Sequence, residues 1–156
     1  MFFIFARIKM IIHNMKILIL CTGNSCRSQM AHGFLQSFDD RITVCSAGTD
    51  PADQINQKAV MVMKEAGVDI SNHTPGIVDQ YLYDEWDYVI TVCDHANETC
   101  PVFMGKVKHR LHISFEDPSN ATGSEELIMS EFRRVREKIK NEFHAFYITN
   151  IKPYLK

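Results

Sequence analysis

An apolar run that ends at a cysteine and leads directly into a short polar loop constrains this chain most. Residues 17–20 are Ile-Leu-Ile-Leu, Cys21 follows, and the loop then reaches Arg27-Ser28. A continuous apolar run of this kind is typical of a strand buried on both faces of a parallel sheet. The loop is so short that it must curl beneath the start of a helix, with its amide N–H groups pointing inward. We therefore predict a strand, an anion-binding loop and a helix in direct succession.

The spacing Cys-x4-Cys-Arg-Ser places a nucleophile inside this anion cradle. Arg27 supplies a planar, permanently charged donor for two anion oxygens. Inward amides and the helix dipole favour Cys21 as a thiolate, the form that attacks, although a small buried strand-end cysteine is the alternative. Neither a nucleotide P-loop nor a dinucleotide fingerprint is present. The residues predicted to bind a tetrahedral oxyanion are Thr22, Gly23, Asn24, Ser25, Cys26 and Ser28.

Length and composition limit the remaining choices. A chain of 156 residues is expected to form one domain with a substantial core. A formal net charge of −2 gives no reason to expect nucleic acid as a partner. The five cysteines show no disulfide-framework spacing, which indicates a reducing compartment and therefore a cytoplasmic location.

The N-terminal residues are apolar but do not predict a membrane span. Arg7 and Lys9 interrupt the run, which is shorter than the roughly 20 apolar residues that a bilayer requires. No small-residue cleavage site follows. We expect residues 1–14 to be an extension upstream of the true start, and residues 15–156 to form a single catalytic domain without a membrane partner.

Strand and helix patterns alternate along the rest of the chain. The predicted strands are 17–20, 42–47, 88–92 and 109–113. Helical spacing covers 28–38 and 56–66, with Gly67 as the residue after the helix end, and a last helix starts at the capping-box spacing Thr122-x-x-Glu125 and continues to Phe146. This alternation predicts an α/β fold with a four-stranded parallel sheet and helices on both faces.

Three chemically suitable residues follow three of the predicted strands. Cys21 follows the first strand, Cys93 the third, and Asp117 lies shortly after the fourth. In open parallel sheets, ligands bind at the carboxyl ends of strands near the point where strand order reverses. We therefore expect these three side chains to share one site.

The loop also carries a resemblance to a known family. Cys-Thr-Gly-Asn-Ser-Cys-Arg-Ser-Gln-Met-Ala, after an apolar strand, resembles the low-molecular-weight protein tyrosine phosphatase superfamily and, within it, the thioredoxin-coupled arsenate reductases. Phosphatases of this fold more often have apolar residues at the positions of Thr22 and Ser25, and proline at that of Gln29. The resemblance extends from about Met15 to the end of the chain and implies a flavodoxin-like sheet.

A second pair of cysteines, Cys93 and Cys100, bears on the choice between phosphatase and reductase. A phosphatase needs one thiol and passes through a phosphocysteine, whereas a reductase that gives two electrons to its substrate ends with a disulfide. The resemblance implies that Cys93 and Cys100 carry this disulfide outward from Cys21 to thioredoxin, through a segment that must be mobile. Two ordinary thiols are one alternative. A zinc site with Cys21 and Cys26 is another, although the cysteine gaps disfavour it and Arg27 would repel the cation.

The Asp117-Pro118 dipeptide matches the general acid of this superfamily, although an exposed turn is the commoner setting for such a dipeptide. The residues Ser119-Asn120-Ala121 follow, where phosphatases often have aromatic residues for a phosphotyrosine ring. This difference favours a small inorganic substrate. His32 stands where some of these reductases have a glutamate that supports a potassium site, so potassium dependence is not expected.

The combined prediction is an enzyme that reduces arsenate to arsenite without cofactor or metal. Phosphate or sulfate would compete for the loop, Ser28 would donate a hydrogen bond to the Cys21 sulfur, and Asn24 would fix the loop's shape. The alternatives are a tyrosine phosphatase that uses Cys21, Arg27 and Asp117 alone, and an oxyanion-binding regulator without turnover.

Overall fold

The computed structural model describes residues 14–156, so nearly all of the predicted extension lies outside the described residues. The strands are β1 (Met15–Cys21), β2 (Ile42–Gly48), β3 (Trp86–Thr91) and β4 (Val107–His112). The α-helices of this part of the chain are α1 (Arg27–Phe38), α2 (Gln57–Glu65), α3 (Asp94–Thr99) and α4 (Glu125–Phe146). All strand pairs are parallel, in the order β2-β1-β3-β4. The predicted parallel-sheet fold class is confirmed.

Strand β1 is the centre of the sheet and is buried on both faces, as its continuous apolar run predicts. The side chains of residues 17–20 are fully buried. Ile17 pairs with Val44 on β2 and with Tyr88 on β3. Because a residue with a polar side chain would face one core or the other here, only apolar side chains are tolerated along the run.

The two faces of the sheet are covered unequally. Helices α1, α2 and α4 all pack in the larger core, on the face that carries Ile17 and Ile19. The opposite face, with Leu18 and Leu20, is covered by the 3₁₀ turn Val78–Tyr81 and by the loop after α3. Across the sheet, the chain moves in one direction from β1 to β2 and in the other direction from β2 to β3. Because crossovers are right-handed, these two connections are expected on opposite faces of the sheet. Of the β2–β3 connection, however, only the short final part covers the face with Leu18 and Leu20.

The ends of α2 and α4 test the predicted capping residues. Gly67 has a φ of 81° and follows α2 as predicted, since a left-handed residue there accommodates the end of the helix. Helix α4, however, is capped by Ser124, whose hydroxyl accepts from the Leu127 amide at 3.2 Å. The predicted capping box at Thr122 is therefore wrong by two residues, because Gly123, with a φ of 113°, separates Thr122 from the helix.

The sequence patterns do not predict helix α3. It occupies the segment between Cys93 and Cys100, and its six residues are too few to show an apolar period. Of the six, only Ala96 is buried. Across residues 14–156, the helices are all too short or too polar to cross a bilayer.

Candidate active site

The candidate site lies where the strand order reverses. Strand β1 has β2 on one side and β3 on the other, so the connections that leave β1 and β3 diverge at their carboxyl ends. Cys21 is the last residue of β1, and Cys93 lies two residues beyond the end of β3. Both cysteines are buried in the larger core, as is Cys26 at the start of α1.

The loop after β1 is held from the outside through its carbonyl groups. The donors are backbone amides of the segment after β2: Thr49 to Cys21 (3.1 Å), Asp50 to Thr22 (3.0 Å), Ala52 to Gly23 (2.8 Å) and Asn56 to Ser25 (2.9 Å). In a planar trans peptide the carbonyl and the following N–H point in opposite directions. The amides of Thr22, Gly23, Asn24 and Cys26 are therefore turned toward the inside of the loop, as the sequence predicts for an anion cradle.

Asn24 fixes the shape of this loop from within. Its backbone has a φ of 50°, a left-handed conformation that asparagine tolerates better than most residues, and it is completely buried. Its side-chain amide donates to the Ser28 hydroxyl oxygen at 2.8 Å, and its side-chain oxygen accepts from the Gly76 amide at 3.0 Å. Ser28 accepts this bond with its oxygen, so its own proton is left for another acceptor.

Arg27 is the first residue of α1, and its guanidinium is held across the site. One nitrogen donates to the Phe115 carbonyl at 2.9 Å, and the other lies 3.5 Å from the Asp117 carboxylate. The side chain is 15% exposed. Cys26, the N-cap of α1, makes no side-chain capping bond to the described residues, so the first-turn amides are open to an anion.

Asp117 approaches the loop from the turn after β4. One carboxylate oxygen faces Arg27, and the other accepts from the backbone amide and the hydroxyl of Ser119, at 3.0 and 2.7 Å. Pro118 begins the 3₁₀ turn Pro118–Asn120 that fixes this geometry. The carboxylate keeps 28% of its side-chain surface exposed, on the side of Arg27 that faces the loop region.

Cys21 and Cys93 lie close enough for the two thiols to interact, and each shifts the pKa of the other. The bond to Cys93, followed by burial, raises the pKa of Cys21, although Arg27 lowers it. The same bond lowers the pKa of Cys93 to about 5, helped by the Thr22 hydroxyl, which lies 3.4 Å from the Cys93 sulfur. The interaction thus opposes negative charge on Cys21 and favours it on Cys93, while Arg27 favours the thiolate at both positions. That Cys21 attacks as a thiolate stays a prediction.

The remaining cysteines are separated from this pair. Cys100 ends α3 and packs with the smaller core on the opposite face of the sheet. Cys100 is seven residues after Cys93. At the rise of an α-helix this separates their Cα atoms by about 10 Å, which exceeds the span of a disulfide. Burial and then Asp117 raise the pKa of Cys26 to about 12, so Cys26 stays a thiol. Cys45 lies on β2, packed against the smaller core and away from the loop.

Sequence reasoning did not identify several residues that support the loop. Gly48 ends β2, and a Cβ there would lie 2.3 Å from the Thr22 carbonyl oxygen. The Gln29 amide donates to the Asn24 carbonyl at 3.1 Å, and its oxygen lies 2.9 Å from His73 Nδ1. His32 bonds Ser46 at 2.9 Å and stacks on His73. The strand-end rule that located Cys21 applies equally to Gly48 and could have identified it.

Metal binding is not supported by the arrangement of the ligating side chains. Within residues 14–156, histidines, cysteines and carboxylates do not cluster in groups of three or more that could hold an ion. The His32 ring is tied to Ser46 and its pKa is lowered to about 4 by burial and by His73, so it remains neutral.

Comparison with known proteins shows relatives over most of the chain. An arsenate reductase of Bacillus subtilis is 45% identical over 134 residues, which cover 85% of this chain and 95% of that protein. An arsenate reductase of Halalkalibacterium halodurans is 44% identical over 131 residues, covering 83% and 93%. A solved arsenate reductase in the phosphate binding state superposes with a TM-score of 0.73 at 28% identity, covering 86% of this chain and 97% of that one.

Phosphatases share the same fold. A tyrosine phosphatase of Erwinia amylovora superposes with a TM-score of 0.71 at 19% identity, covering 85% of this chain and 91% of that one. The sequence model for low molecular weight phosphotyrosine protein phosphatases matches residues 16–153, from the start of β1 to beyond the end of α4. The chain therefore belongs to the low-molecular-weight phosphotyrosine protein phosphatase family.

Proposed function

We propose that this protein is an arsenate reductase that reduces arsenate to arsenite through Cys21 and is regenerated by thioredoxin. The observation that carries the proposal is that Cys21 and Cys93 are buried in the same core beside the anion loop, with the Thr22 hydroxyl 3.4 Å from the Cys93 sulfur. This arrangement supports Cys93 as the second thiol, which would attack the Cys21 sulfur once that sulfur is bonded to arsenic. The two bacterial relatives named arsenate reductase, each above 40% identity, support the substrate. Phosphate and sulfate share its tetrahedral shape and would compete for the loop.

In the first step, arsenate enters the loop and is held by the inward amides and by Arg27. The Cys21 proton passes to an arsenate oxygen, and the Cys21 sulfur attacks arsenic. A sulfur–arsenic bond forms while one oxygen leaves as water, with its second proton supplied by Asp117. The free proton of Ser28 is available to the Cys21 sulfur as negative charge develops there.

In the second step, the Cys93 thiolate attacks the Cys21 sulfur. The sulfur–arsenic bond breaks and its electron pair remains on arsenic, which is reduced from As(V) and leaves as arsenite. The oxidation product is a Cys21–Cys93 disulfide. The Thr22 hydroxyl and Arg27, which both lower the pKa of Cys93, suit this step because they favour the attacking thiolate.

In the third step, the Cys100 thiolate attacks the Cys93 sulfur and releases Cys21 as a thiolate. The new Cys93–Cys100 disulfide is then reduced by the two thiols of thioredoxin. Because α3 holds the two cysteines about 10 Å apart, the helix must unwind for this bond to form. A reducing compartment such as the cytoplasm supplies the starting thiols.

The direct test is arsenite formation from arsenate with thioredoxin, thioredoxin reductase and NADPH. We expect arsenite to accumulate in proportion to NADPH consumed, and the signal to disappear in Cys21→Ser while Cys45→Ser behaves as the unmodified chain. Absence of arsenite with every thiol reductant tried would contradict the proposal. Arsenate binding without turnover would then support a regulator that uses the loop only for recognition.

A phosphatase activity is the second candidate, and the pairing of Arg27 with Asp117 at 3.5 Å favours it. The same nucleophile, anion clamp and acid would cleave a phosphate ester through a phosphocysteine. This reaction needs neither Cys93 nor Cys100. Hydrolysis of a small aryl phosphate that survives Cys93→Ser and Cys100→Ser would support it, and its absence in the unmodified protein would exclude it.

A further inference from the structure

A series of hydrogen bonds fastens helix α3 to the sheet, and its residues take no direct part in the proposed reaction. His112 is the last residue of β4, and its two ring nitrogens bond in opposite directions. Nδ1 lies 2.7 Å from the Thr91 hydroxyl, and Nε2 lies 2.9 Å from the carboxylate of Asp94. Asp94 is the first residue of α3 and directly follows Cys93. This series of bonds therefore begins beside Cys93, the second thiol of the proposed relay.

The middle of α3 lies near the same hydroxyl. The Thr91 hydroxyl, at the end of β3, is 3.4 Å from the side-chain oxygen of Asn97, but its one proton goes to His112 Nδ1 when the ring donates from Nε2 to Asp94. Apolar packing adds little, because Ala96 is the buried residue of the helix. A six-residue helix is far too short to be stable by itself in water. Its attachment to the sheet runs through Asp94, which bonds His112 and also Ser114.

The position of α3 matters for Cys93. The backbone N–H of Ala96, in the first turn, is directed at the Cys93 sulfur and helps to lower its pKa. A change in the seating of this turn would move that donor and the sulfur that must attack Cys21. The later attack by Cys100 has the opposite requirement, because the helix must open. The attachment thus affects the two exchanges in opposite directions.

We propose that His112 is a positioning residue of the thiol relay. Its bonds to Asp94 and Thr91 hold the first turn of α3 so that Cys93 faces Cys21. These bonds break when Cys100 attacks Cys93. This inference rests on the proposed reductase function. His112 touches neither substrate nor reacting sulfur. In the first exchange Cys93 displaces arsenic from Cys21, and the electron pair of the broken bond stays on arsenic. In the second exchange Cys100 displaces Cys21 from Cys93, and Cys21 leaves as a thiolate.

The test compares His112→Ala with a matched control, His109→Ala, on the same strand. His109 stacks on Tyr88 and takes no part in the series of bonds through Asp94. In a Cys100→Ser background, which stops after the first exchange, we expect His112→Ala to slow arsenite release about tenfold. In the full-thiol chain, conversion of the Cys21–Cys93 disulfide to Cys93–Cys100 should be unchanged or faster. His112→Gln, which can donate to Asp94 and accept from Thr91, should restore the first exchange.

Two results would overturn the proposal. One is an equal slowing of both exchanges, which indicates a general loss of structure. The other is unaltered hydrogen exchange of the α3 amides in His112→Ala, which means that His112 does not hold the helix. The amide measurement needs no arsenate, so it still decides the role of His112 if the unmodified protein makes no arsenite. In that case the proposed function alone fails.

Discussion

The anion loop and the α3 segment both carry reactive cysteines, but they are held in very different ways. The loop is tied through four of its carbonyls, and both Asn24 in the loop and Ser28 in the first turn of α1 are fully buried. Helix α3 buries only Ala96 among its residues and depends on polar bonds to the sheet. Binding an oxyanion requires fixed donors, whereas passing a disulfide to a partner requires movement. Substitutions in the two regions should therefore fail in different ways.

Removal of the nucleophile tests the loop most severely. Cys21→Ser should reduce arsenate reduction and any ester hydrolysis by up to about 10⁶-fold, because both reactions begin with attack by the same sulfur. Arsenite release and aryl phosphate hydrolysis measure the two effects, with Cys45→Ser as the matched control. If either reaction keeps more than a trace of its rate, Cys21 is not its nucleophile.

Substitutions in the α3 segment should stop turnover without harming the loop. Cys100→Ser should allow about one turnover and trap a Cys21–Cys93 disulfide, whereas Cys93→Ser should retain arsenic on Cys21. Mass spectrometry after exposure to arsenate identifies the linked residues. Ester hydrolysis, where present, should survive both changes. Full thioredoxin-coupled turnover in Cys100→Ser would remove that residue from the relay.

Arg27→Lys tests whether the loop needs a two-pronged donor. Lysine keeps the charge but cannot bond the Phe115 carbonyl and face Asp117 at the same time as it holds an anion. We expect kcat/KM for arsenate to fall about 10²-fold to 10³-fold. Lys58→Arg, at a surface ion pair with Glu125, is a control for altered charge geometry. A loss below threefold would mean that the amides alone bind the substrate.

Substitutions at two glycines, Gly48 and Gly76, test how tightly the loop is enclosed. Gly48→Ala places a methyl 2.3 Å from the Thr22 carbonyl oxygen, so the loop or β2 must shift. The free energy of unfolding should fall by about 1–3 kcal/mol, with a parallel loss of arsenate affinity. In the control Gly76→Ala, the nearest atom to the added methyl is 3.9 Å away. Denaturant unfolding measures both, and equal stability of the two variants would show that the loop is not so enclosed.

Several features of the fold and site were predictable because they depend on local residue patterns. The run at residues 17–20 indicated the buried strand, and strand ends brought Cys21, Cys93 and Asp117 to one edge. Helix α3 was not predictable, because six residues show no period and the helix is bonded to His112 on a strand distant in the sequence. The raised pKa of Cys21 was not predictable either, because its largest cause is Cys93, which is distant in the sequence.

The smallest expected effect concerns the point where the two regions meet. The bond to Cys21 is the largest cause that lowers the pKa of Cys93 to about 5, so its thiolate is present above that pH and is lost as pH falls through it. Replacing Cys21 with alanine, in a chain whose other cysteines except Cys93 are serine, should raise the pKa of Cys93 by about one unit or more. Ultraviolet absorbance of the thiolate across a pH titration measures the shift, with the same chain retaining Cys21 as reference. If the pKa stays near 5 without Cys21, then the Thr22 hydroxyl and the first turn of α3 are sufficient to hold the charge, and the relay segment is electrostatically independent of the loop.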